Sequence, residues 1–303
     1  MTKLAGVVCP LVTPFNDDGT IARDLYLSHA QAILAEGAHY LSPFGTTGEA
    51  LSIGMAERMQ ALEWLVEDGI AADRLMPGTG LTALPDTVAL SVHAVGLGCA
   101  AVMVLPSFFY GTVGDDGQAR YFAELIRQVE DPRLRVILYN IPQNSGVPVT
   151  PELAGRLGER FPGAVVAYKD SSGDWANTQA VIAAAPEIAV FPGSESFLVP
   201  GLAAGGTGCI SATVNLNARE IRAVYDGVRA GRDVVAAEAV MKAKRQAVQK
   251  AGLIGGIKAV LAVHSNDRRW LNLRAPHLDA TWESGLELTT RLDALGYEAE
   301  AQL

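Results

Sequence analysis

From Gly6 to about Ile210 the chain alternates short, nearly unbroken apolar runs with longer stretches whose apolar residues recur every three or four positions. The short runs are Gly6–Leu11, His39–Pro43, Arg74–Gly78, Ala101–Leu105, Arg135–Tyr139, Ala164–Lys169, Ile188–Phe191 and Gly206–Ile210. A short apolar run without alternation reads as a strand covered on both faces, as in a parallel sheet. Helical spacing fills the intervals, in Asp24–Glu36, Met55–Asp68, Leu84–Val95, Gln118–Val129, Pro151–Arg160, Thr178–Ala184, Ser196–Ala203 and Ala218–Val228. Eight strands, each followed by a helix, predict an α/β fold of the (β/α)8 TIM barrel type rather than an open sheet. Beyond Gly231 three more helical patterns follow without a strand: Val234–Lys250, Ile254–Val263 and Trp282–Leu295. They predict a C-terminal helical extension, dividing the chain into a catalytic barrel, 1–230, and an extension, 231–303. No linker, repeat or low-complexity segment interrupts it.

Composition narrows the function classes. At 49% hydrophobic and 19% charged residues, the 303-residue chain can bury a large core and is not a disordered segment. A net charge of −9 argues against nucleic acid as a partner. The start, Met1-Thr2-Lys3-Leu4-Ala5, lacks a signal-peptide pattern, and no apolar stretch is long enough for a membrane span. Cys9, Cys99 and Cys209 are odd in number and far apart, which suits reduced thiols and a cytoplasmic protein. The five histidines show no metal-ligand spacing, so no metal is expected. Gly96-Leu97-Gly98-Cys99-Ala100-Ala101 imitates a dinucleotide fingerprint but precedes a strand instead of following one.

Lys169 is the candidate nucleophile. Of six lysines it alone closes a strand-like run, Ala164 to Tyr168; Lys3 is terminal and the other four lie in the C-terminal helical stretch. Burial disfavours a charged ammonium and so favours the free amine that attacks carbonyls. In a barrel, reactive groups gather where strands end. Those ends carry Gly45-Thr46-Thr47-Gly48-Glu49, then Tyr139 and Asn140 with Asn144 downstream, Lys169 with Ser171, Gly193 with Glu195, and Ile210 with Ser211. An amine, a phenol and hydroxyl groups together suit a Schiff-base site: the amine forms an imine with a keto acid, the phenol moves protons, and hydroxyls with loop N–H groups hold a carboxylate. Taken singly, each residue also has a plain structural reading. Glu49 can start a helix, Tyr139 can be a core tyrosine, Glu195 a solvated loop carboxylate or a helix-start residue, and Asp170 and Asp174 the supports of the following helix.

Gly45-Thr46-Thr47-Gly48-Glu49, Tyr139-Asn140-Ile141-Pro142 and Lys169-Asp170-Ser171-Ser172-Gly173-Asp174, in this order and spacing, resemble the signatures of the dihydrodipicolinate synthase / N-acetylneuraminate lyase superfamily. The resemblance runs from Pro10-Leu11-Val12-Thr13-Pro14-Phe15 to Leu273-Arg274-Ala275-Pro276. It implies a class I aldolase barrel, a homo-oligomer (tetramer or dimer), in which Lys169 forms an imine with pyruvate. It further implies Tyr139 as proton relay with Thr47 beside it, and Thr46 and Thr47 as carboxylate contacts. No cofactor is implied beyond the covalent lysine Schiff base. Ser171, Gly193, Glu195, Ile210, Ser211 and Asn144 complete the substrate-binding candidates.

Departures from the family pattern bear on the second substrate, an aldehyde. The synthases carry an arginine five positions after the relay tyrosine to grip a carboxylate; here it is Asn144. Where they lend a tyrosine to a neighbouring subunit, this chain has Ser107-Phe108-Phe109 and then Tyr110. The sialic-acid branch reads polyols with acids and hydroxyls after strands seven and eight; Glu195 matches, but Ser196 and Ala212 do not. The expectation is therefore a lyase or aldolase acting on pyruvate and a hydroxylated 2-keto acid. The alternatives are dihydrodipicolinate synthase, a 2-keto-3-deoxy sugar acid dehydratase, and a non-catalytic 2-keto-acid sensor.

Overall fold

The computed structural model describes residues 3–297. Along the chain run β1 (Gly6–Cys9), α1 (Arg23–Ala35), β2 (Tyr40–Leu41), α2 (Met55–Glu67), α3 (Leu84–Leu97), β3 (Val102–Val104), α4 (Gly114–Val129) and β4 (Val136–Asn140). Then come α5 (Pro142–Ser145), α6 (Pro151–Arg160), β5 (Val165–Asp170), α7 (Trp175–Ala184), β6 (Ala189–Pro192), α8 (Leu198–Ala203), β7 (Gly208–Ile210) and α9 (Val214–Arg229). Three helices without an intervening strand close the described chain: α10 (Val235–Lys250), α11 (Leu253–Ser265) and α12 (Trp282–Asp293).

The chain forms two compact units: residues 3–6 with 71–210, and residues 7–70 with 211–297. In the first, β3, β4, β5 and β6 make a parallel sheet in that order. Their residues are almost all buried, which is why they read as continuous apolar runs. The expected strand at Arg74–Gly78 has the path but not the ladder. Leu75 and Pro77 carbonyls accept from Ala100 and Met103, and Thr79 donates back to the Met103 carbonyl. Pro77 has no N–H to donate, so the ladder breaks into a single bridge at Gly78.

In the second unit β1 pairs in parallel with β2. The core of this unit joins Val12, Leu25, Leu216, Ile257, Val260, Trp270 and Leu288, among others. Asn215 ties the chain together inside it. Its Oδ1 accepts from Val12 N (3.1 Å) and His29 Nε2 (3.0 Å), and its Nδ2 donates to the Pro10 and Ala212 carbonyls. Burial pushes His29 down to about 4, so the ring is neutral and its Nε2 is the donor. Several boundaries differ from the sequence reading, among them the starts of α7 at Trp175 and α9 at Val214, three and four residues early. α4 starts four residues early, at Gly114, and α5 was not foreseen because a four-residue helix has no period to read.

Candidate active site

Parallel pairing of β4 with β5 sets Tyr139 opposite Lys169 and Asn140 opposite Asp170. Both members of the first pair are buried, and Lys169 Nζ lies 4.2 Å from the centroid of the Tyr139 ring. Lys169 Nζ thus lies over the ring face, within the range of a cation–π contact. Lys169 is the penultimate residue of β5, since the strand runs on to Asp170.

Asp170 carries the frame around this pair. Its Oδ1 accepts from Asn140 Nδ2 (3.0 Å) and Ser172 N (3.0 Å), and its Oδ2 from Asn177 Nδ2 (2.9 Å) and Thr178 Oγ1 (2.7 Å). Asn140 Oδ1 in turn accepts from Val149 N. The ends of β4 and β5 and the first turn of α7 are thus clamped together by one buried carboxylate. Asp174 does what its position suggested and caps α7, accepting from Ala176 N.

The remaining candidates of this unit are Ser171, Gly193, Glu195, Ile210 and Asn144. Gly193 N donates to the Asp170 carbonyl. A Cβ at Gly193 would lie 2.3 Å from Ser171 Oγ and 2.8 Å from that carbonyl oxygen, so only glycine fits beside Ser171. Glu195 opens a short 3-10 turn and is fully buried, which excludes the solvated-loop reading. That turn is backed by Phe197 stacked on Trp175. Ile210 ends β7 and is buried. Asn144 sits exposed on α5.

Thr46, Thr47 and Ser211 belong to the second unit. Thr46 is exposed and Thr47 buried, on a turn closed by Glu49 N and Ala50 N donating to the Thr46 and Gly45 carbonyls. Ser211 is buried, and its Oγ accepts from Arg245 Nη1 of α10 at 3.1 Å. Two polar features here went unread in the sequence. One is Arg245 behind Ser211. The other is a fully buried ion pair between Glu49 and Lys258, 2.8 Å apart. A lysine inside the apolar run Ile257-Lys258-Ala259-Val260-Leu261 was the available signal. Burial pushes Lys258 down to about 8, against the opposing pull of Glu49.

Comparison with known proteins finds similarity over nearly the whole chain. Residues 3–295 match the family model described as the dihydrodipicolinate synthetase family. An uncharacterised DapA-like lyase of Chloroflexus aurantiacus is 34% identical over 266 residues, 86% of this chain and 87% of that protein. A 4-hydroxy-tetrahydrodipicolinate synthase of Thermus thermophilus is 32% identical over 227 residues, 75% of this chain and 74% of its own length. The crystal structure of dihydrodipicolinate synthase from Agrobacterium tumefaciens superposes with a TM-score of 0.89 at 29% identity, covering 96% of this chain and 99% of that one. The fold class is accordingly the (β/α)8 barrel with C-terminal helices.

Proposed function

The chain belongs to the dihydrodipicolinate synthetase family and is a lyase of that family, and on that premise we propose that it works through an imine between Lys169 and a 2-keto acid. Lys169 Nζ attacks the keto carbon of the substrate, and water leaves as the carbon–nitrogen double bond forms. As the C4 hydroxyl gives up its proton to the relay, the bond between C3 and C4 breaks and the imine at C2 accepts its electron pair, giving a C2–C3 enamine and an aldehyde. Protonation of the enamine carbon and hydrolysis return pyruvate and the free lysine; condensation is the same sequence reversed. Tyr139 is the proton relay with Thr47 as its catalytic support, and Thr46 and Thr47 are the carboxylate contacts. The observation that carries the reading is the buried Lys169–Tyr139 pair across β4 and β5. Pyruvate with borohydride should add a reduced pyruvyl mass to the peptide holding Lys169; an adduct elsewhere, or none, overturns the mechanism.

For the second substrate we favour a hydroxylated 2-keto acid cleaved to pyruvate and an aldehyde. Asn144 offers a neutral amide where a guanidinium would grip a second carboxylate, and the two are not interchangeable. Glu195, buried beside the strand ends, supports recognition of hydroxyl groups, with Ser171, Gly193, Ile210 and Ser211. The names of relatives such as the Thermus thermophilus synthase favour a second reading, condensation of pyruvate with aspartate semialdehyde. Dehydration of a 3-deoxy sugar acid would use the same imine. A non-catalytic sensor would trap pyruvate with borohydride yet turn nothing over, so the trap is followed by a turnover assay.

The chemistry asks for no metal or other cofactor, because the imine itself is the electron sink. Among the described residues no helix is long and apolar enough to cross a membrane. A cytoplasmic site of action remains our proposal, as does the division into a barrel, 1–230, and an extension, 231–303. A homo-oligomer, tetramer or dimer, is supported by Phe109 and Tyr110. They stand 77% and 67% exposed after β3 with their rings edge to face, an apolar pair that a second subunit would cover.

A further inference from the structure

Glu49 ends the threonine turn in a left-handed conformation, φ 56°, which a residue with a Cβ adopts only at some cost. Its side chain is held at both oxygens: Oε1 accepts from Lys258 Nζ (2.8 Å) and Oε2 from Arg274 N (2.9 Å). Lys258 spends all three of its protons, on Glu49, on the Thr13 carbonyl (2.9 Å) and on the Asn272 carbonyl (2.6 Å). Its ammonium also lies 4.6 Å from the centre of the Phe15 ring. From this one nitrogen two routes lead back to the turn. One passes through Glu49. The other passes through Thr13, whose backbone oxygen Lys258 holds and whose Oγ1 donates to the Gly48 carbonyl at 2.9 Å.

Gly48 leaves the turn no slack. A Cβ there would meet the Leu11 carbonyl oxygen at 2.6 Å. Thr46 and Thr47 therefore sit on a segment whose far end is fixed by Glu49, Gly48 and their buried partners. Stability does not explain the pair. Taking two charges fully out of water is costly, and apolar side chains of similar volume commonly serve folding as well or better. What an ion pair supplies and an apolar contact does not is one definite geometry.

We propose that Glu49 and Lys258 are positioning residues: their buried ion pair fixes the left-handed turn that presents Thr46 and Thr47 to the substrate carboxylate. The inference rests on the pyruvate-imine reading of this site. The test therefore uses pyruvate alone, following exchange of its methyl protons with deuterium, which enamine formation catalyses without any aldehyde. The double variant Glu49→Gln/Lys258→Met removes both charges and leaves no unpaired ion behind. It should melt within a few degrees of the wild type, yet raise KM for pyruvate in the exchange at least tenfold, with kcat changed less. The single variant Glu49→Gln, which keeps the side chain's volume, should shift KM in the same direction. Wild-type KM in a folded double variant overturns the proposal. So does a loss in which melting temperature and exchange fall together in both variants, because the pair would then serve the fold and not the turn. A wild-type protein that neither exchanges pyruvate protons nor takes an adduct at Lys169 refutes the imine reading itself, a different failure.

Discussion

Tyr139 and Lys169 are register partners in a parallel pair of strands, so the pleat sends both side chains to the same side of the sheet. A slip of one residue in either strand would part them. The register is pinned one position further on, where Asn140 donates to Asp170. The places of Lys169 and Tyr139 are thus set by the backbone ladder, with the Asp170 carboxylate locking its end.

From that fixed geometry follows a severe effect of Tyr139→Phe. A positioned proton-transfer group contributes ~10²–10⁴-fold to rate, and losing one hydroxyl from a buried ring should leave the barrel folded. Steady-state kcat should drop by at least about 100-fold while the circular dichroism spectrum is unchanged. A loss of only a few-fold would remove Tyr139 from the mechanism.

Glu195→Gln should separate two steps. A site that hydrogen-bonds a substrate hydroxyl discriminates strongly when the contact is lost. Cleavage of a polyhydroxylated 2-keto acid should fall by roughly 100-fold, while borohydride trapping of pyruvate proceeds as in the wild type. Equal loss of both would assign Glu195 to the support of Lys169. No change in either would move hydroxyl recognition to other residues.

Aspartate semialdehyde should be a poor partner for pyruvate. Deleting one member of a charge-assisted clamp costs about 2 kcal/mol or more, roughly 30-fold in kcat/KM. Asn144→Arg should recover part of that deficit. Efficient condensation by the unmodified chain, equal to its best aldol cleavage, would instead make the synthase reading the correct one.

Acid should unfold the protein through His29. Its folded-state value, about 4, lies below the ordinary value of 6.5, so the unfolded chain binds the extra proton first. Stability from this site is complete above pH 6.5 and is lost as pH falls toward 4, on the order of 3 kcal/mol across that window. Thermal melts from pH 7 to pH 4 should fall more steeply for the wild type than for His29→Gln. Parallel curves would show that His29 does not set the acid limit.

Much was legible in the chain itself. Continuous apolar runs marked the strands because a sheet covered on both faces leaves no polar alternation, and three short motifs named the residues at the strand ends. Lys169 stood out because an ammonium is costly at the end of such a run. Local pattern could not reveal partners distant in sequence. Lys258 lies 209 positions from Glu49, and Arg245 34 from Ser211; the apolar run around Lys258 hints at burial, but neither residue's partner can be read from its neighbours in the chain. Glu195 looked like a loop carboxylate because sequence carries no record of solvent exposure. The clamp of Asp170 on Asn140 needed a strand register, which hydrogen bonding between separate segments decides. The sequence by itself determined which groups can react and along which strands they lie. The tertiary structure decided which charges are buried together and which turn they hold, because burial and pairing are properties of neighbours in space.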